Sequence, residues 1–188
     1  MTVRDIIRMG HPTLRERAKP FPDSEIGSDQ FNHLITDLKD TLQATGNGIG
    51  LAAPQINVSY RVALIDIPNS TTRYGPVTPM PRAIYINPEI TVLDEASEGY
   101  WEGCLSVPNM MGFVERPQHI RVDFLDEQGQ KQFVELEGFL ATVFQHEFDH
   151  LDGILYVDRL KDMSLFSFDE EYAAYHQPAI SGPETEEG

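Results

Sequence analysis

Only one cysteine, Cys104, occurs in the 188 residues, so no disulfide can form within the chain. Basic residues are also scarce. Lys and Arg total 14 against 30 Asp and Glu, for a formal net charge of -16. Such a surface repels phosphate backbones and anionic lipid, which argues against direct nucleic-acid or membrane binding. No apolar run approaches the ~20 residues of a membrane-spanning helix. Residues 1–5 have neither the apolar core of a signal peptide nor an Arg- and Ser-rich transit character, so a cytoplasmic location is expected. Some of the acidity lies in the tail, at Glu184, Glu186 and Glu187. There is no internal repeat. What remains is 40% hydrophobic and 23% charged, the balance of a globular protein with room for one proper core.

The residues that carry chemistry are concentrated at His146-Glu147-Phe148-Asp149-His150, an H-E-x-x-H pattern. Residues four apart share a helix face, so His146 and His150 can offer imidazole nitrogens to one ion. Glu147, on the same helix, is placed to take a proton from a metal-bound water. Two histidines at this spacing also arise by chance. Here Leu140, Val143, Phe144, Phe148 and Leu151 surround them with apolar surface, and buried histidines need partners.

Around this motif the pattern predicts a helix over 29–45, with Phe31, Leu34, Ile35, Leu38 and Leu42 on one face, Ser28 as its cap and Gly46 as its end. Gly46-Asn47-Gly48-Ile49-Gly50 is too glycine-rich for regular structure. A buried strand is expected over 60–67, then a Pro-rich loop over 68–81. An extended stretch over 83–93 is interrupted at Pro88. Strands over 119–125 and 131–136 form a hairpin. The motif helix spans about 138–150, with Gly153 just past it. An extended piece over 154–160 and a weak helix over 164–176 follow. Strands thus come before the principal helix, which predicts an α+β fold: mostly antiparallel strands packed around a central metal-binding helix. Residues 1–165 are expected to form the catalytic domain, and 166–188 a weak helix with an acidic, disordered tail.

A catalytic metal usually holds three protein ligands and one open position. The extended protease pattern H-E-x-x-H-x-x-G-x-x-H has its Gly at Gly153, but Tyr156 stands where the third histidine belongs. A glutamate from a later helix is a second source, and Glu170 or Glu171 is at a plausible distance, though a solvated charge run explains that segment better. The third source is Cys104, in Glu102-Gly103-Cys104-Leu105-Ser106, because a thiolate binds zinc or ferrous iron strongly. Gly103 lets the backbone pass close to the ion.

Three blocks together resemble the peptide deformylases: Gly48-Ile49-Gly50-Leu51-Ala52-Ala53-Pro54-Gln55, Glu102-Gly103-Cys104-Leu105-Ser106, and Gln145-His146-Glu147-Phe148-Asp149-His150-Leu151-Asp152-Gly153. Their order and separation match over about residues 4–160. The resemblance implies a hydrolase that removes the formyl group from the N-terminal formyl-methionine of newly made proteins. It implies Cys104, His146 and His150 as metal ligands and Glu147 as general base, with a metal-bound water attacking the formyl carbon. It further implies the Gln55 side chain and the Leu105 backbone N–H as oxyanion donors. Ile49 and Val143, with His146, resemble the pocket for the methionine side chain. Gly48 and Gly50 allow an extended peptide to approach the backbone, and Ile49, Gly50, Gly103 and Val143 are the candidate substrate-binding residues. The implied metal is ferrous iron, with zinc or nickel as substitutes. The implied partners are formyl-Met nascent peptides, with transient ribosome proximity, and a monomer is expected.

One departure stands out. Asn109-Met110-Met111-Gly112 follows the cysteine block where many relatives carry an arginine that reaches the substrate backbone. Two rival readings remain: a zinc endopeptidase with Glu170 as third ligand, and a non-catalytic metal-stabilised binding module. The presence of both Glu147 and Gln55 weighs against the second.

Overall fold

The computed structural model describes residues 3–67 and 78–177. Helix α1 (Asp29–Thr45) begins where the Ser28 hydroxyl accepts from the Phe31 amide at 3.2 Å, and ends at Gly46, whose φ of 74° lies in the left-handed region. Strands β1 (Gly50–Ala52), β2 (Val62–Ile67), β3 (Met80–Cys104), β4 (Val107–Leu125) and β5 (Lys131–Glu137) pair antiparallel in that order. Helix α2 (Phe139–Asp149) follows, and then a short strand β6 (Phe166–Phe168), which pairs with β4, and helix α3 (Asp169–Tyr175). The fold is α+β with antiparallel strands, as the order of elements predicts.

The sheet buries both faces at β2. Successive side chains of a strand point to opposite sides. Val62 and Leu64 therefore meet Phe31, Leu34, Leu38 and Leu42 of α1. Ala63, Ile65 and Ile67 meet Ala141, Phe144 and Phe148 of α2. This explains why β2 reads as a nearly continuous apolar run. With α1 on one face and α2 on the other, α2 is pressed against the sheet along its apolar side.

Four expectations need correction. Pro88 does not interrupt the chain's extended course: β3 runs on to Cys104 and shifts register between Ile86 and Glu89. Asn87, at φ 50°, makes that bulge and is fixed by its side chain, which accepts from the Phe21 amide at 2.7 Å and donates to the Phe21 carbonyl at 2.9 Å. The predicted extended stretch over 154–160 holds a 3₁₀ turn, Tyr156–Arg159, because the Asp158 carboxylate accepts from the Leu155 amide at 2.8 Å. The weak helix is broken up: Met163–Leu165 is a 3₁₀ turn, 166–168 adds a strand to β4, and only 169–175 is α-helical. Gly50 is not irregular loop but the first residue of β1. Most of the Pro-rich loop, at 68–77, and the tail beyond Gln177 lie outside the described residues.

Candidate metal centre and substrate pocket

Cys104 is the last residue of β3, where the long β3–β4 hairpin turns beside α2. This brings its sulfur to 3.3 Å from His150 Nε2, across 46 residues of sequence. Ligand atoms of Cys104, His146 and His150 all lie within 4.8 Å of one another. The two imidazoles are 5.2 Å apart between centroids and nearly perpendicular. Burial alone would raise the Cys104 thiol, but the adjacent His150 and His146 outweigh it and hold the thiol well below its ordinary range. A buried thiolate with two imidazoles within a few ångströms fits a tetrahedral divalent ion with one position left open.

The histidine side of this cluster is held by charge. His146 Nδ1–H donates to Glu102 Oε2 at 2.7 Å, which leaves Nε2 for a metal. Arg116 donates to both oxygens of Glu102, at 2.6 and 2.9 Å, and to Asp149 at 2.8 Å. Arg159 grips the same Asp149 with two bonds of 2.5 Å. Arg116 is only 2% exposed. Burial alone would raise the Glu102 carboxyl, but hydrogen bonds from His146 and Arg116 hold it down at about 2. Glu102 is therefore an anion fixed between a candidate ligand and a buried guanidinium.

A cavity opens beside the cluster. Gln55, Cys104, Leu105, His146 and Glu147 line it together with Ile49, Gly50, Gly103 and Val143. Nine of the ten candidate residues thus meet at one cavity, and His150 lies buried beneath them. Gln55 is fixed from both ends: its Oε1 accepts from the Ala52 amide at 2.8 Å, and its Nε2 donates to Ser106 Oγ at 3.2 Å and points at the Cys104 sulfur, 3.7 Å away. Gly50 has a sharper reason than positive φ, which it does not adopt. A Cβ there would collide with the Glu147 carboxylate, so glycine is the residue that lets the acid reach the cavity. Phe139 and Thr142 also line the cavity and escaped the reading of the sequence, because a helix residue with no motif gives no sign of which way it faces.

Other candidates fall away. Glu170 and Glu171 sit on the exposed α3, outside the only three-ligand cluster found among the described residues. Tyr156 stacks on His146 with centroids 6.0 Å apart and donates its hydroxyl to the Met110 carbonyl at 3.1 Å, a packing role and not a ligand's. Met111 is buried at 3% exposure. Glu102, Arg116, Asp149 and Ser106 were given no role from the sequence. A signal for Glu102 existed, since an acid two residues before a buried cysteine in a strand end demands a buried partner.

The fold and this cluster combine an H-E-x-x-H helix with a strand-end cysteine, a group that could hold a metal ion. The family model described as Polypeptide deformylase matches residues 3–165. The chain is 44% identical over 171 residues to the peptide deformylase of Leptospira biflexa serovar Patoc, covering 91% of this chain and 95% of that one. It is 43% identical over 171 residues to peptide deformylase 1 of Prochlorococcus marinus, covering 91% and 88%. Among solved structures, the Met-Ala-Ser-bound class I type b peptide deformylase from Acinetobacter baumannii superposes with a TM-score of 0.77 at 34% identity, covering 85% of this chain and 99% of that one. The Thermotoga maritima peptide deformylase gives 0.74 at 36% identity, covering 86% and 100%. The chain belongs to the polypeptide deformylase family.

Proposed function

We propose that this chain removes the formyl group from the N-terminal formyl-methionine of newly made proteins, with one divalent metal held by Cys104, His146 and His150. The observation that carries the reading is the convergence of that three-ligand cluster with Glu147 and Gln55 on one cavity. When bound, the metal supplies Lewis acidity, which eases deprotonation of water and polarises the formyl carbonyl.

The chain's own residues do the rest. Ile49 and Val143 provide apolar wall for the methionine side chain, and Gly50 and Gly103, with no side chain, let an extended peptide come close at the cavity wall. Glu147 takes a proton from the water as its oxygen bonds to the formyl carbon. The Gln55 Nε2–H and the Leu105 N–H donate to the oxygen that becomes negative. Glu147 then gives its proton to the amine nitrogen as the C–N bond breaks. Formate and a free methionine amine leave. Glu102 keeps the His146 ring turned toward the ion, and Arg116 keeps Glu102 in place.

Ferrous iron is the proposed native metal, with zinc or nickel as less oxygen-sensitive substitutes. Residues 1–165 are the proposed catalytic domain. The proposed setting is the cytoplasm, where a monomer meets nascent chains near the ribosome without binding nucleic acid. Among the described residues, no helix is long and apolar enough to cross a membrane. The test is formate release from formyl-Met-Ala-Ser by the metal-loaded protein. Glu147→Ala should slow it at least about a hundredfold while metal content is unchanged, because a proton acceptor and not a ligand is removed. A variant at near-normal rate would remove Glu147 from the mechanism.

A further inference from the structure

Gln55 and the Leu105-Ser106 turn belong to chain segments some fifty residues apart, yet an oxyanion site needs both donors fixed to within a fraction of an ångström. Their mutual link through side chains is the Gln55–Ser106 hydrogen bond of 3.2 Å, made by the same amide that must serve the substrate. A second link does not use that amide. The extended N-terminal segment passes over both loops. Its Ile7 amide donates to the Gln55 carbonyl at 2.9 Å, and its Met9 amide donates to the Ser106 carbonyl at 2.8 Å. One end of the segment is pinned to α1, where the Arg4 amide donates to Thr41 Oγ1 at 2.9 Å. The other end is closed by a turn, with the His11 amide donating to the Arg8 carbonyl at 3.0 Å and Gly10 at φ 107°. Beyond the turn Leu14 is fully buried.

We infer that Ile7–Met9 is a backbone splint that sets the distance between the two oxyanion donors, so that Ile7 and Met9 are positioning residues for the reaction. The Met9 side chain contributes little to this, since it is 49% exposed. The two amides contribute, because each ties a carbonyl of one loop to the same short extended strand. Ser106 is then held at three atoms. Its carbonyl takes the Met9 amide, its hydroxyl takes Gln55, and its own amide points at the Cys104 sulfur at 3.4 Å. Releasing the carbonyl lets the turn, and the Leu105 N–H in it, drift away from Gln55. The inference rests on the reading of Gln55 and Leu105 as oxyanion donors.

The turn geometry supplies a clean perturbation. Residues Arg8–His11 with positive φ at the third position form a type II turn, in which proline is favoured at the second position. Met9→Pro therefore suits the turn and deletes one N–H. Met9→Ala keeps that N–H and is the control. The measurement is kcat and KM on formyl-Met-Ala-Ser, with bound metal assayed, for wild type, Met9→Pro, Met9→Ala, Ile7→Pro, Ile7→Val and Gln55→Ala. The expected result is a kcat about tenfold lower in Met9→Pro, short of the ~10²-fold that an ångström of misplacement costs, with KM and metal content unchanged. Met9→Ala and Ile7→Val should match wild type. A Met9→Pro protein that folds, is less stable and keeps full kcat would reduce the segment to a structural strap and overturn the inference. If Met9→Pro does not fold, Ile7→Pro decides: wild-type kcat overturns the inference, and a selective kcat loss supports it. Loss of kcat in Gln55→Ala with none in either proline variant sinks the splint alone. Unchanged kcat in Gln55→Ala sinks the oxyanion reading beneath it.

Discussion

Replacing Arg116 by Met should destabilise the protein more than any other single change to its charges. Arg116 is 2% exposed and neutralises two buried carboxylates, with bonds of 2.6 and 2.9 Å to Glu102 and 2.8 Å to Asp149. The methionine fills much of the space but leaves Glu102 with His146 alone and Asp149 with Arg159 alone. Removing one partner of a buried ion pair costs about 3–5 kcal/mol, since the other charge is left desolvated. For a chain of this size each kcal/mol lowers Tm by roughly 2–4 °C, so a fall of about 6–20 °C is expected. Arg159→Ala should cost far less, because Arg159 is 41% exposed and water can replace it. Metal affinity should fall about 10–100-fold in Arg116→Met, the usual effect of losing the support behind a ligating histidine. The assay is thermal denaturation by circular dichroism with a parallel chelator competition. Adding Glu102→Gln to Arg116→Met should recover part of the Tm by removing a stranded charge, but not the metal affinity. A Tm shift under about 3 °C with unchanged metal affinity would refute the claim that this chain of charges supports the metal centre.

Gln55→Ala should lower kcat more than it raises KM, by about 2.7–4 kcal/mol in transition-state stabilisation, and a rise in KM alone would make Gln55 a binding residue only. Gly50→Ala should cut activity sharply while the fold survives, because its Cβ collides with the Glu147 carboxylate and the acid must swing away; wild-type turnover would show that Glu147 has another working position. The Asp158 carboxyl is held below its ordinary 3.8: burial opposes this, and the bonds from Arg15 and the Leu155 amide outweigh it. A depressed carboxyl stabilises the fold fully above its unfolded value, and that stability disappears as pH falls through the lowered one. Urea titrations of wild type and Asp158→Asn should therefore differ near neutral pH and converge in strong acid; a gap that widens on acidification would reverse the assignment.

Helices α1 and α2, strand β2 and the hairpin of β4 with β5 were legible because local signals carried them. Ser28 and Gly46 bound α1 as their chemistry requires, and the apolar spacing of α1 and α2 matches the faces they bury. The long hairpin was not legible. In β3 the stretch 92–98 is exposed, so acids and small residues replace the alternation that marks a half-buried strand. The 3₁₀ turn at Tyr156–Arg159 depends on one side chain capping the backbone, which periodicity cannot register. At the candidate site, helical spacing and the apolar residues around it single out the two histidines and Glu147. They do not single out Cys104: only the meeting of a strand end with a helix makes it a neighbour of His150.

That meeting also explains which functional residues stayed hidden. Glu102, Arg116 and Asp149 come from β3, β4 and the end of α2, and none has a meaning until the three elements pack. Once they do, each answers a need created by the others. For His146 to present Nε2 to a metal, Nδ1 needs an acceptor, and Glu102 Oε2 lies 2.7 Å from it. A buried Glu102 needs a cation, and Arg116 supplies it from the paired strand, opposite Glu98 and within reach of both Glu102 oxygens. Arg116 has a donor left over, and Asp149 takes it from within the H-E-x-x-H motif itself. The motif thus contributes on two sides: His146, Glu147 and His150 to the candidate centre, and Asp149 to the charges packed behind it. The x positions of such a motif are free in the helix but not in the fold. Asp149 is one that the hairpin has claimed, and Phe148, buried against the sheet beside Tyr85 and Phe144, is the other.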